Sequence, residues 1–168
     1  MKNKKVFFLI SCLLCLIWMT VIFAFSSQPV VESAALSGGI VKEILIFIGI
    51  DVDNPDNEML VHFLDQCIRK MAHFSEYAVL GALLVNTFRL SGCIYFYIPP
   101  ILCGMVYAIS DEVHQIFVDG RGAAVTDVMI DSGGAAIGAS IAYVVIMRAI
   151  KKRQQKITES SKEKKRQT

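Results

Sequence analysis

Proline is scarce in this chain, at four residues in 168, and tryptophan occurs once. The prolines sit at Pro29, Pro55 and Pro99-Pro100, so the stretches between them are free of the residue that most disrupts helices. Charge is also sparse, at 19% against 54% hydrophobic residues, with a mean hydropathy of +0.52. That is too apolar for a small soluble core, and the apolar residues come in blocks near the ~20 residues that a membrane-crossing helix needs. The five cysteines make no disulfide framework: Cys12, Cys15, Cys93 and Cys103 lie in or beside apolar blocks, and Cys67 is the fifth. Cys12-x-x-Cys15 has redox spacing, but within a hydrophobic helix it reads as packed or lipid-facing filler. There is no nucleophile-elbow serine, no phosphate-cradling glycine loop and no His-Glu-x-x-His. Nothing points to nucleic acid; the basic tail reads as an orientation signal and a contact for anionic lipid.

What the chain does contain is helical. Basic Lys2, Lys4 and Lys5 precede an apolar run over 6–25, long for a signal-peptide core and without a clean Ala-x-Ala site, so a retained first span is expected. Ser26-Ser27-Gln28-Pro29 ends it. Ile40, Val41, Ile44, Leu45, Phe47 and Ile48 make one apolar face opposite Lys42 and Glu43, too short to span and suited to an interfacial helix. In the polar turn 51–57, Asn54 is an N-cap with Pro55 at the first helical position. A second helix is predicted from Pro55 to Arg89, entering the hydrocarbon near His73 and spanning over 71–89. A third covers 93–117, with Pro99-Pro100 as a kink or as the start of its regular part. The fourth, over 125–147, contains Gly134-x-x-x-Gly138, a spacing that lets helices approach closely. Residues 1–148 thus form a membrane domain, and the charged tail 149–168 is expected to be disordered and cytoplasmic. The expected fold is an all-α integral membrane four-helix bundle with an extracytoplasmic, interfacial helical segment between helices 1 and 2.

In that topology 13 of the 17 basic residues share one side: three at the N-terminus, Arg89, and nine from Arg148 to Arg166. The positive-inside rule makes that side cytoplasmic, with both termini inside and a multi-pass location in the cell membrane. The external loop 26–66 then carries seven acids against one lysine. Three polar clusters, 69–76, 111–115 and 121–131, fall at the outer helix ends and are expected to converge on one outer-leaflet site.

Arg69, His73 and Glu76 share a helical face, with Lys70 expected to point away. Asp111, His114 and Gln115 share another, with Glu112 a quarter-turn aside; Asp127 and Asp131 are i, i+4. Intramembrane charges need partners or a task. Three readings stay open: a structural charge network, a site whose arginines grip an anionic or amphiphilic ligand, and an active site with a histidine or glutamate as acid or base. The candidate catalytic residues are His73, Glu76, Asp111, Glu112, His114 and Asp127, and the candidate substrate-binding residues are Arg69, Gln115 and Arg121. Two histidines among carboxylates suit zinc or a similar ion, but no spacing is diagnostic, so no metal ligand and no cofactor is assigned.

The set Lys70-x-x-His73-Phe74-x-Glu76-Tyr77-x-x-Leu80-Gly81, then Asp111-Glu112-x-His114-Gln115-x-Phe117, then Gly120-Arg121-x5-Asp127-x6-Gly134 resembles the VanZ-like family, as does Ser26-Ser27-Gln28. The match covers about Phe25 to Gly138. Asp119 stands where proline is expected and Asp131 where asparagine is usual, so no role is carried over to Asp131. The resemblance implies a membrane protein linked to glycopeptide resistance of the teicoplanin type. Its implied partners are membrane lipids, a lipid-linked cell-wall intermediate or a lipoglycopeptide. A membrane hydrolase or transferase acting on a lipid is the alternative.

Overall fold

Small residues on one helix face decide how this chain packs. The computed structural model describes residues 2–52 and 54–166. Asp53, within the polar turn, and the last two residues of the tail lie outside the described residues. Those described form five α-helices and no strand: α1 Lys2–Ser26, α2 Val30–Phe47, α3 Glu58–Ser91, α4 Ile98–Gln115 and α5 Val125–Arg166. The polar turn holds one short 3-10 helix, Pro55–Asn57, whose Asn54 side chain accepts from Asp56 N.

The helix ends follow local chemistry. Pro29 precedes α2, and Gly92, in the left-handed conformation at φ 87°, closes α3. Pro99 and Pro100 sit in the first turn of α4, where a missing N–H costs nothing, so they start that helix and do not kink it. The third helix therefore begins at Ile98, five residues later than the sequence predicts, and ends at Gln115. The tail differs more. Expected to be disordered, it continues α5 to Arg166, with every side chain over 151–163 exposed. Its lysines, arginines, glutamines and glutamates are good helix formers, and nothing breaks the pattern.

The α3/α5 seam is the most extensive contact between helices. A Cβ added at Gly138 would collide with the Ala78 carbonyl oxygen, one at Gly134 with that of Phe74, and one at Gly81 with that of Ala135. The two backbones thus touch at three successive levels, the close approach expected of Gly134-x-x-x-Gly138. Ile22, Tyr77, Leu80, Ala108 and Ala135 form the buried core, with Trp18, Met19, Leu84 and Tyr107 packed against it. Polar pins fix α1: Trp18 Nε1 donates to Glu76 O at 2.8 Å, and the Tyr107 hydroxyl donates to Met19 O at 2.6 Å. At the far end Ser11 pairs with Thr87 at 2.7 Å.

Two helices are long and apolar enough to cross a membrane, α1 over Asn3–Ser26 and α5 over Val125–Glu163. Many large apolar side chains on α1, α4 and α5 face outward, among them Leu9, Leu16, Val106 and Ile141, each at least 60% exposed.

The seam makes a prediction. Gly134→Ala and Gly138→Ala force the α3 and α5 backbones apart and should each lose about 1–3 kcal/mol. Gly39→Ala, inside α2 with open space around it, should be neutral to slightly stabilising, because alanine is the better helix former. Thermal unfolding of the three variants in detergent checks this; equal midpoints for Gly138→Ala and Gly39→Ala would remove the close seam.

Candidate functional site

The polar residues collect at one end of the bundle, where α1 finishes, α4 finishes and α5 begins. Gln66 to His73 on α3 form one wall of a cavity of about 340 Å³; Glu112 and Gln115 on α4, the turn 120–122, and Asp127 to Asp131 on α5 form the rest. Val30 and Ser33 from the start of α2 complete the rim. Six of the nine candidate site residues line it: Arg69, His73, Glu112, Gln115, Arg121 and Asp127.

Each is positioned by an identifiable contact. Asp65 and Arg69 are one turn apart on α3 and pair at 2.8 Å, and the Ser37 hydroxyl on α2 donates to the other oxygen of Asp65. This three-residue link fastens α2 to α3 and fixes Arg69 at the rim. Glu112 Oε1 accepts from Ala124 N at 2.6 Å, so its carboxylate caps the start of α5, where unpaired N–H groups favour negative charge. Arg121 hangs from the turn that Gly120 makes at φ 74°. Its Nε donates to Gln28 O at 2.9 Å and its Nη2 to Phe25 O at 3.4 Å, on carbonyls in the last turn of α1 and just past its end. Burial pulls its guanidinium below the ordinary value, and the nearby Asp111 carboxylate opposes that.

Asp111 lies deeper, 3% exposed, and its Oδ2 accepts from Ser26 Oγ at 2.7 Å and from Gln115 Nε2 at 3.4 Å. Asp131, 2% exposed, lines the inner wall. Glu76 stands beside His73, with its Oε2 3.8 Å from His73 Nδ1. A ring nitrogen of His73 and one oxygen each from Asp111 and Asp131 lie within 4.8 Å of one another. The sequence assigned no metal ligands because this set spans three helices and has no local spacing.

Two expectations are corrected. Lys70, expected to point away, lines the cavity and donates to Asp127 Oδ1 at 2.6 Å across the α3/α5 gap. At the half-exposed rim such a pair is worth up to about 1 kcal/mol. His114, a candidate catalytic residue, is not among the lining residues: its ring stacks on Phe23 at 4.3 Å and its Nε2 lies 3.1 Å from Ser27 Oγ. Gln115, one residue on, turns inward in its place. Sequence reasoning missed Asp65 and Ser37, although Asp65 sits one turn before Arg69 and that spacing was readable.

The α2 fastening is testable. Asp65→Asn or Ser37→Ala should speed amide hydrogen exchange over 30–47, with 77–85 and 132–140 unchanged. Uniform loss of protection would mean that α2 is not a separately attached element.

Comparison with known proteins supplies one match. No curated protein and no solved structure matches the chain. A family model described as VanZ/LLP1 matches residues 10–148, most of the chain and all of the cavity's walls. The chain therefore belongs to the VanZ/LLP1 family.

Proposed function

We propose that this is a multi-pass membrane protein of the cell envelope with both termini cytoplasmic. Its polar cavity engages an anionic, lipid-linked envelope molecule or a lipoglycopeptide and so contributes to glycopeptide resistance of the teicoplanin type. Arg121 carries the reading. It lines the cavity, is held by backbone carbonyls, and among the described residues has no carboxylate within 4.0 Å. Arg69 and Lys70, by contrast, are taken by Asp65 and Asp127. A fixed guanidinium without a carboxylate partner is suited to grip a phosphate or carboxylate. The cavity volume suits a head group, since ligand pockets start near 300 Å³. Exposed Met59, Phe63, Phe117, Val125 and Met129, close in sequence to the lining residues, supply apolar surface for an acyl tail.

The four-span topology rests on α1, α5 and the distribution of basic residues, with α3 and α4 crossing as polar-ended helices. α2 and the turn after it are then external. A reporter active only outside the cytoplasm should work when fused within 48–52 and fail after Gly92 or at the C-terminus. Activity at the C-terminus would overturn this orientation.

A second reading has its own observation: His73 lines the cavity with Glu76 behind it, a base beside a carboxylate that can orient it. Under it the protein is a hydrolase or transferase on a lipid, with Glu112 or His73 moving a proton.

Arg121→Gln should weaken binding of teicoplanin or of a lipid-linked peptidoglycan precursor in nanodiscs by roughly 10- to 100-fold, as for a lost charged hydrogen bond. It should also abolish protection in a susceptible host at unchanged membrane levels. Full binding and protection by Arg121→Gln would sink the ligand-grip reading. A converted lipid product that disappears with Glu112→Gln would favour the enzyme.

A further inference from the structure

At the cavity floor, Asp111 and Asp131 are at least 97% buried, yet each keeps one oxygen, Oδ1, without a hydrogen-bond partner among the described residues. His73 Nδ1 and Glu76 Oε2 are likewise buried without a hydrogen bond, 3.8 Å from each other, and the Tyr77 hydroxyl interacts with the Asp111 carboxylate. Orphan buried polar atoms are uncommon in folded proteins, and several in one place call for a partner that the protein does not supply, a water or an ion. These belong to three helices, α3, α4 and α5, and the donor atoms of His73, Asp111 and Asp131 converge within 4.8 Å.

Charge sharpens the case. Two carboxylates lie together out of water, and among the described residues no lysine or arginine comes within 4.0 Å of either. Arg69 is bound to Asp65, Lys70 to Asp127, and Arg121 to the carbonyls of Phe25 and Gln28. Buried charges are tolerated when paired or when they coordinate a metal. Asp111 is also already oriented: Ser26 and Gln115 hold its Oδ2, which leaves Oδ1 for another partner. Glu76, 3.8 Å from His73 Nδ1, is placed to hold the imidazole from behind, as carboxylates do at many metal-ligating histidines.

We propose that His73, Asp111 and Asp131 bind one divalent transition-metal ion, zinc or manganese in class, at the floor of the cavity. One imidazole nitrogen with two carboxylate oxygens suits such ions, whereas calcium and magnesium favour all-oxygen shells. A divalent ion also neutralises the two carboxylates. Ligands ~2.1 Å from a zinc ion lie at most about 4.2 Å apart, so small side-chain rotations close the cluster around it. Glu76 is a positioning residue. The assignment stands whether or not the cavity takes a lipid-linked molecule.

The test uses the full chain in detergent, stripped with a chelator and titrated by calorimetry with zinc, manganese, calcium or magnesium. Zinc or manganese should bind at one ion per chain and raise the unfolding temperature, and calcium and magnesium should do neither. Asp131→Asn, which keeps the shape of the side chain, should eliminate measurable binding, and Glu76→Gln should weaken it by roughly tenfold. Asp56→Asn, in the exposed external turn, should leave it unchanged. No zinc or manganese binding by the wild type, binding that survives Asp131→Asn in a monodisperse preparation, or equal binding of calcium overturns the assignment. Should the variant not fold, manganese bound to the wild type still decides: its electron spin echo should carry coupling to an imidazole nitrogen, and absence of that coupling overturns the site.

Discussion

Everything at the polar end of this molecule depends on the contact between the α3 and α5 backbones. Gly134 and Gly138 leave no side chain between α5 and the carbonyls of Phe74 and Ala78, while Gly81 does the same for Ala135. Dispersion and close polar contact over three levels hold the helices where no solvent-driven burial is needed. The same register carries Asp127 to Lys70 and Asp131 towards His73, two turns and one turn before Gly134 respectively. A wider seam would separate these pairs, so the packing motif and the site are one construction.

That construction also concentrates negative charge in a poorly solvated place. Glu76, Asp111, Glu112 and Asp131 stand on three helices around one floor, and only Glu112 is capped by a helix N-terminus. In a medium of low polarity such groups bind a cation, share protons or are held by strong hydrogen bonds. The surrounding helices add rigidity: Trp18 and Tyr107 tie α1 to its neighbours, and Ser37–Asp65–Arg69 ties α2 over the rim. A cavity with fixed cations at its edge and unpartnered carboxylate oxygens at its floor can treat the two ends of a ligand differently.

Much of this was legible in the primary structure because its signals are local. Pro29, Pro55 and Pro99-Pro100 mark helix starts or breaks, and the glycine spacing in α5 announces close packing. The three polar clusters stand out against apolar surroundings. Of the residues placed on shared helical faces, Arg69, His73 and Gln115 line the cavity, whereas Glu76 and Asp111 are not among its lining residues. Helix-face reasoning failed for Lys70, whose long side chain reaches across the groove, and for His114, whose ring finds Phe23 on another helix. Side chains of four or five atoms escape their helical face, and an aromatic neighbour supplied by a distant helix is invisible to periodicity. The tail was misread because a high charge density argues against a core but not against a helix.

The sequence by itself determined that the chain is all-helical, where its helices break, that its ends carry the basic charge, and which family it joins. These follow from periodicity, turn chemistry and ordered motifs, all short-range properties. Only the tertiary structure decided that Arg69, Glu112, Arg121 and Asp127 share one cavity, that Arg121 has no carboxylate partner there, and that His73, Asp111 and Asp131 converge. Those facts join residues up to 58 positions apart on three helices and the turn before α5. Their distances are set by how closely the helices cross, which no spacing along the chain encodes.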